Sequence, residues 1–461
     1  MALMGLISGK EFLDNSFHSF NNRREVFHNF PNGGAPLMGL LSLMEDEKTD
    51  TALNFGWYEK RYQYPRTTTV VAPGGGTGTF TTTTGGVAGA TQALTANTEY
   101  FLNVASAAEF QVNEAIVILD VPMSSGNPNT VRGVITSIAT NEIKFRALNT
   151  TSTTIDNDAS SVGLNLVKLG SAYAEGSRSG SGRMIIPVAP SNNTQIFKDA
   201  MEFTGTTLEI PTDFDKTGAY REQAKDAALD HQIGLEFAFL FGQKQVWSPV
   251  LAAGGAFGGN TVQGRSTGGV LYFLEQWEAA GGGTAGYRPG GAALTADTDD
   301  DKRIIENTTG TIPKSVWNTY MERCFRKANN KSYEKICFCG NGALRAVDEL
   351  IEKKIVRNAD PQDAVEKYNM KLRSVETTWG ILHFTTHPLL TDQPGLFYAM
   401  FIIDVPFLKY RPLGNRDTTL LPNRQDNDED GKKDIWMTEA GLQLRFPEAH
   451  MLIKNVQNIT V

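Results

Sequence analysis

Between Lys216 and Lys244 the chain reads KTGAYREQAKDAALDHQIGLEFAFLFGQK, nearly thirty residues without a proline. A run this long with no break predicts one helix, a rod of roughly 40 Å at ~1.5 Å per residue. Tyr220, Ala224, Ala227, Ala228, Leu235, Ala238 and Phe241 give it an approximate apolar stripe. Its Ala and Gly positions permit other elements to cross closely. Such a rod is expected to back a sheet.

The sequence on either side mixes helix and strand signals. Ile312–Ala328 reads as a helix with Pro313 near its start, Lys335–Cys339 as a short strand, and Ala343–Val356 as a second helix with Asn341 as its N-cap. Leu344, Val347, Leu350, Ile351 and Ile355 share one face of that helix. Met370–His387, Leu396–Phe407 and Gly441–Val456 read as strands. The body is therefore expected to be α+β.

Upstream, Asn54–Thr69 is aromatic and β-branched, a strand signal that runs into a loop at Thr67–Gln92. That loop holds 10 Thr and 7 Gly among its 26 residues, too little apolar surface to build a core. Short runs at Phe110–Leu119, Val131–Ile138 and Glu142–Leu148, separated by Gly, Asn and Pro, predict a small β-barrel or β-sandwich. Strand-like Trp57–Tyr64 before it and Gly170–Arg183 after it place this module, about residues 67–168, on a long hairpin. The first fifty residues carry Phe12, Phe17, Phe20, Phe27 and Phe30 around a PNGGAP break, and without clean periodicity they read as an extended arm. Burying one Phe is worth ~1.5–3 kcal/mol, so the arm needs an acceptor surface.

Composition excludes several roles. With 43 Lys and Arg against 51 Asp and Glu, net charge −8, the chain has no dense basic cluster for gripping nucleic acid through its phosphates. Met1–Lys10 lacks the character of a signal peptide, and the most apolar run, Gly395–Phe407, is broken by Asp404 and Pro406, so no membrane span is expected. Cys324, Cys337 and Cys339 make no disulfide framework, fit a reducing compartment and read as buried small hydrophobes rather than metal ligands. Asp426, Asp428, Asp430 and Gly431 open like a calcium loop, but Met437 stands where the bidentate Glu belongs. The glycine clusters match no phosphate-binding pattern, and the six histidines are scattered. No catalytic, cofactor or metal site is expected, and His231, mid-helix, reads as an ordinary packed or surface histidine.

Six phrases in order carry a resemblance: GSAYAEGS at Gly170–Ser177, NTQIF at Asn193–Phe197, EFAFLFG at Glu236–Gly242, RSTGGV at Arg265–Val270, FCGNGAL at Phe338–Leu344 and EAGLQLRFPEAH at Glu439–His450. From about Asn54 to the end, the chain resembles the major capsid proteins of tailed double-stranded DNA bacteriophages with the Hong Kong 97-like fold. The resemblance implies an N-terminal arm at 1–50 and an extended E-loop with the β module at 51–190. It further implies a peripheral domain with a spine helix at about 216–244 within 191–246, a mainly axial domain at 247–394, and C-terminal strands at 395–461 returning to both. It also implies pentamers and hexamers closing an icosahedral shell around the genome, with neighbouring capsid subunits and a portal protein as partners and only loose contact with packaged DNA. The expected place is the virion, after assembly in the host cytoplasm. Because no helical heptad pattern precedes the E-loop, a separate scaffolding protein is expected; the β module could dock a decoration protein.

For a shell protein, repeated modest interfaces take the place of an active site. Phe12, Phe17, Phe20, Phe27 and Phe30 of the arm, with Trp57, Tyr58, Arg61 and Tyr62 of the E-loop, are the expected subunit contacts; the rival reading packs these aromatics within their own chain. A β-rich adhesive or carbohydrate-binding virion surface protein is the alternative function, with Phe80, Tyr100, Phe101, Phe110 and Phe145 as stacking residues. A hydrolase with a noncontiguous site is a third.

Overall fold

In the computed structural model the chain forms two units, residues 1–59 with 188–461 and residues 60–187. The structure describes residues 36–42, 48, 54–60, 67–69, 80–81, most of 94–150, 165–177, 180, 182, 186–209, 219–247, 264–283, 287–288, 293–296, 300–326, 333–354, 364–367 and 370–460.

In the larger unit, strand Gln195–Thr204 pairs antiparallel along its full length with Gly431–Leu444, from Gln195 opposite Ala440 to Thr204 opposite Gly431. The far edge of Gly431–Leu444 carries Leu408–Pro412 and Thr419–Leu421. Ala219–Phe241 is the long helix, and it packs on this sheet as its length required. His231 is buried where helix and sheet meet, its Nδ1 against Asp199 of one strand and its Nε2 2.7 Å from the Thr438 hydroxyl of the next.

A second sheet of seven strands runs in the order Ile304–Glu306, Met451–Lys454, Met400–Ile403, Glu334–Cys339, Ile381–Thr386, Met370–Glu376, Ala364–Lys367. Its central strand, Glu334–Cys339, is covered on both faces, which is why it reads as an unbroken apolar run rather than an alternating one. Ile336 and Phe338 face one core, shared with the long helix and helix Val270–Glu278. Cys337 and Cys339 face another, under helices Lys314–Arg326 and Asn341–Lys354, which also contains Cys324. Burial pushes the Cys324 and Cys337 thiols above the ordinary thiol range, so they pack as uncharged groups.

Local signals erred at several element ends. Pro313 ends strand Thr311–Pro313, paired with Asn458–Thr460, and the helix begins only at Lys314. Asn341 is the first helical residue rather than the cap. The single strand expected over Met370–His387 is a hairpin turning at Thr377–Gly380, where the Thr377 amide donates to the Gly380 carbonyl and the Gly380 amide donates to the Thr377 hydroxyl. Leu396–Phe407 keeps strand only at Met400–Ile403 and then winds into a 3-10 turn at Val405–Phe407, where Pro406 removes a ladder donor. Gly441–Val456 is divided by another such turn at Pro447–Ala449.

Beside that last turn, His450 is buried, accepting the Asp404 amide at Nδ1 (3.2 Å) with Nε2 3.3 Å from the Arg445 carbonyl. Burial, together with the charge of the buried Lys335, pushes its pKa down to about 3. The unfolded chain takes up this proton near pH 6.5 and the folded chain does not, so this contribution to stability is fully present above about pH 6.5 and is lost as pH falls toward 3. The unfolding free energy from urea melts should therefore drop between pH 7 and pH 5 by up to ~1.4 kcal/mol per unit of pH, and His450→Gln should flatten that slope. An unchanged slope in the variant would show that other groups carry the acid sensitivity.

The smaller unit is a seven-stranded antiparallel sheet in the order Thr67–Thr69, Asn165–Ser171, Glu114–Val121, Asn129–Ile138, Glu142–Ala147, Glu99–Asn103, Phe80–Thr81. Partners such as Ile118 with Val131 and Leu166, or Phe145 with Tyr100 and Ile135, lie on one face and form its core. Of the expected small β-barrel or β-sandwich, a closed barrel is not found among the described residues: Thr67–Thr69 and Phe80–Thr81 end the sheet on opposite edges. Register shifts at Ala115/Ile116, Ile118/Val121 and Ile135/Ser137 supply the extra twist that lets one open sheet enclose a core. Tyr100, Phe110 and Phe145 are buried there, and Lys144 sits 5.4 Å over the ring of Phe101, so these rings are occupied within the chain.

Candidate functional site

Residues 54–60 leave the body with strict alternation: Phe55, Trp57 and Glu59 buried, and Asn54, Gly56, Tyr58 and Lys60 exposed. Asn54–Gly56 pairs antiparallel with Ser191–Asn193, and Glu59 exchanges both backbone hydrogen bonds with Val188 at 2.8 Å. The strand leaves and returns at one place, its root.

On the inner side of the root, Trp57 stacks edge-on to Phe273 (5.8 Å between centroids) and donates its indole N–H to Glu59 at 2.7 Å. The same carboxylate oxygen accepts the Phe446 amide at 3.1 Å. Trp57, expected at a subunit contact, is thus held in its own chain's core, 7% exposed. The alternation decides this: an odd-numbered neighbour of Phe55 and Glu59 has to face the same way they do. Tyr58, on the other side, is 82% exposed. Phe12, Phe17, Phe20, Phe27, Phe30, Arg61 and Tyr62 lie outside the described residues.

The returning strand is tied by a polar knot. Asn192, fully buried, directs its side-chain amide nitrogen to the Leu442 carbonyl (2.7 Å), the Gly268 carbonyl (2.9 Å) and the Thr267 hydroxyl (3.0 Å), while its oxygen accepts the amides of Gly268 (2.7 Å) and Asn193 (2.9 Å). Lys244, three residues past the long helix, donates to the Ser191 carbonyl and hydroxyl at 2.8 and 2.7 Å. Arg265 donates to the Thr194 carbonyl at 2.7 Å and pairs with Glu439, which also takes Arg416 at 2.6 Å. Gly242 and Gly269 meet where the backbones cross, Gly269 N–H to Gly242 O at 2.7 Å. Four of the six phrases read in the sequence, NTQIF, EFAFLFG, RSTGGV and EAGLQLRFPEAH, therefore converge on this knot.

A second anchor was missed in the sequence. Pro36–Ser42, inside the expected extended arm, is a helix whose Leu37, Leu40 and Leu41 are fully buried in the body's main core. Their i, i+3, i+4 spacing was the available signal; seven residues were too few for it to stand out beside PNGGAP. Fully buried Glu236 of the long helix accepts the amides of Leu37 and Met38, both at 2.8 Å, and His387 at 2.7 Å.

Among the described residues there is no cluster of His, Cys, Asp or Glu placed to hold a metal, and no helix is long and apolar enough to cross a membrane. What the geometry offers is a firmly bonded root at 54–59 and 188–193, and a short helix at Pro36–Ser42 anchored in the core.

Solved structures with partial likeness include the capsid of cyanophage A-1(L) (12% identity, TM-score 0.37, covering 63% of this chain and 85% of that one). Mycobacterium phage Patience (10%, 0.36, 63% and 76%) and the holo-SrpI encapsulin complex of Synechococcus elongatus (7%, 0.35, 59% and 78%) are others. No curated protein matches the chain. The family model of the SU10 major capsid protein, by contrast, matches residues 16–457, almost the whole sequence. The chain belongs to the SU10 major capsid protein family, and its role is that of a structural protein of the virion's capsid shell.

Proposed function

We propose that this chain assembles as pentamers and hexamers into the icosahedral head shell that encloses the double-stranded DNA of a tailed phage, with parts in the Hong Kong 97-like order. Residues 1–50 are the arm, 51–190 the E-loop and 191–246 peripheral-domain sequence with Ala219–Phe241 as its spine helix. Residues 247–394 are mainly axial, and 395–461 return to both domains. The observation that carries this reading is the root: a long excursion that leaves at Glu59 and returns at Val188, fixed by buried polar bonds while Tyr58 stays bare. A rigid base transmits load from an excursion seated on a neighbour, and a bare tyrosine beside it is a good interface residue.

Assembly rests on many modest contacts, with the arm phenylalanines, Arg61, Tyr62 and Tyr58 reaching neighbouring subunits. Net charge −8 suits a wall that touches packaged DNA only loosely. A separate scaffolding protein, a portal and a decoration protein are the further partners, assembly takes place in the host cytoplasm, and no catalysis is involved. In negative-stain electron microscopy the concentrated protein, with scaffolding protein from the same genome, is expected to show closed shells or rings of five and six. Only small discrete particles under that condition would refute the reading. Tyr58→Ser should cut shell yield several-fold and leave the melting of the unassembled subunit unchanged; normal yield would remove Tyr58 from the interface.

A further inference from the structure

At Glu236 three separate parts of the body meet. It sits on the long helix; its carboxylate oxygens take the Leu37 and Met38 amides of the arm helix; and its Oε1 also takes Nε2 of His387, which directly follows strand Ile381–Thr386 of the seven-stranded sheet. His387 is fixed to that sheet in turn, its own amide donating to the Cys339 carbonyl at 2.9 Å and its ring edge-on to Phe338 at 5.8 Å. Glu236 and His387 are both fully buried, so water cannot stand in for a lost partner. The remaining ring nitrogen of His387, Nδ1, is buried with no hydrogen-bond partner, so that the imidazole's polar contact is made entirely through Glu236.

We infer that Glu236 makes attachment of the arm conditional on the fit between the long helix and the seven-stranded sheet. One carboxylate serving both sides holds all its bonds only while helix and sheet keep their spacing. A displacement of about 1 Å between them takes at least one contact out of hydrogen-bonding range. The loss of the His387 bond leaves a buried carboxyl oxygen less satisfied and freer to turn, which weakens the hold on the arm even though His387 touches no arm residue. The three leucines keep the arm helix seated by apolar contact, so the expected response is local loosening of Pro36–Ser42 ahead of any opening of the sheets. The firmness of Pro36–Ser42 then reports the state of the helix–sheet contact. This goes beyond the shell reading, because it concerns the subunit before and apart from its neighbours.

The test is hydrogen exchange by mass spectrometry on the full-length chain, following peptides over 36–42 and, as internal reference, strands 195–204 and 431–444. His387→Phe should speed exchange at 36–42 about tenfold or more and leave the reference strands unchanged, and His387→Gln, whose side-chain amide can donate to Glu236, should restore most of the protection. Glu236→Gln should loosen 36–42 at least as much. If His387→Phe leaves 36–42 as protected as in the natural sequence, the coupling is refuted. It is equally refuted if the reference strands lose protection in step with 36–42, because the effect is then global. None of these outcomes depends on shell assembly, so failure here is distinguishable from failure of the capsid reading.

Discussion

Replacing Asn192 with leucine should lower the unfolding free energy by about 3–5 kcal/mol, although leucine has nearly the same shape. Asparagine here is both donor and acceptor to four backbone groups, the carbonyls of Gly268 and Leu442 and the amides of Gly268 and Asn193, and its surroundings are sealed from water. Leucine satisfies none of them. Each buried backbone group left without a partner costs ~1–3 kcal/mol, so even partial relaxation leaves a large loss. Asn192→Asp is the sharper comparison, since it keeps the acceptor and loses the donor, exposing the carbonyls of Gly268 and Leu442 to an unpaired charge. Both should show reduced urea midpoints by tryptophan fluorescence and little soluble shell. A loss below about 1 kcal/mol in Asn192→Leu would mean that the knot is not a determinant of the fold.

Gly269→Ala is the second large effect. A Cβ at this position would lie 2.7 Å from the Phe239 carbonyl oxygen, 2.8 Å from that of Ala238 and 2.8 Å from the Gly242 nitrogen. All three are backbone atoms of the last turn of the long helix, which cannot swing aside like a side-chain tip. The crossing must open, with a cost of about 3 kcal/mol. Gly234, on the same helix, has open space where a Cβ would go, and Gly234→Ala should instead stabilise by ~0.5–1 kcal/mol, because alanine is the better helix former. Thermal melting of the two variants in parallel checks the sign as well as the size; equal shifts would mean that helix propensity, not the crossing, governs both.

How far the sequence could be read depended on where each constraint came from. The long helix was legible from the absence of proline, and the strand KICFC from its length and apolar run, including the fate of its cysteines. These signals are local. The side to which Trp57 turns was not legible because an aromatic-rich strand offers its rings to either side, and only the partner strand Ser191–Asn193 with Glu59 fixes which parity faces inward. The helix at Pro36–Ser42 was hidden because its stability comes from the core it enters rather than from its seven residues. Asn192 and Glu236 could not be singled out in advance, since their partners lie up to 250 and 199 residues away. Four of the six phrases mark the regions that meet at the knot, but their chemistry, a backbone crossing sealed by polar side chains, exists only after folding.

The pairing of Glu59 with Val188 has an engineering consequence. Opposed Cα atoms in an antiparallel pair lie ~5 Å apart, close enough for a tight turn to bridge. As the body sees it, everything from Lys60 to Pro187 is one oversized hairpin loop. A loop whose two ends are neighbours can be shortened, lengthened or exchanged for a foreign domain with little entropic consequence for the frame that carries it. The root is thus a ready-made graft junction for the single subunit, one at which a foreign domain could replace the excursion without disturbing the core that carries it.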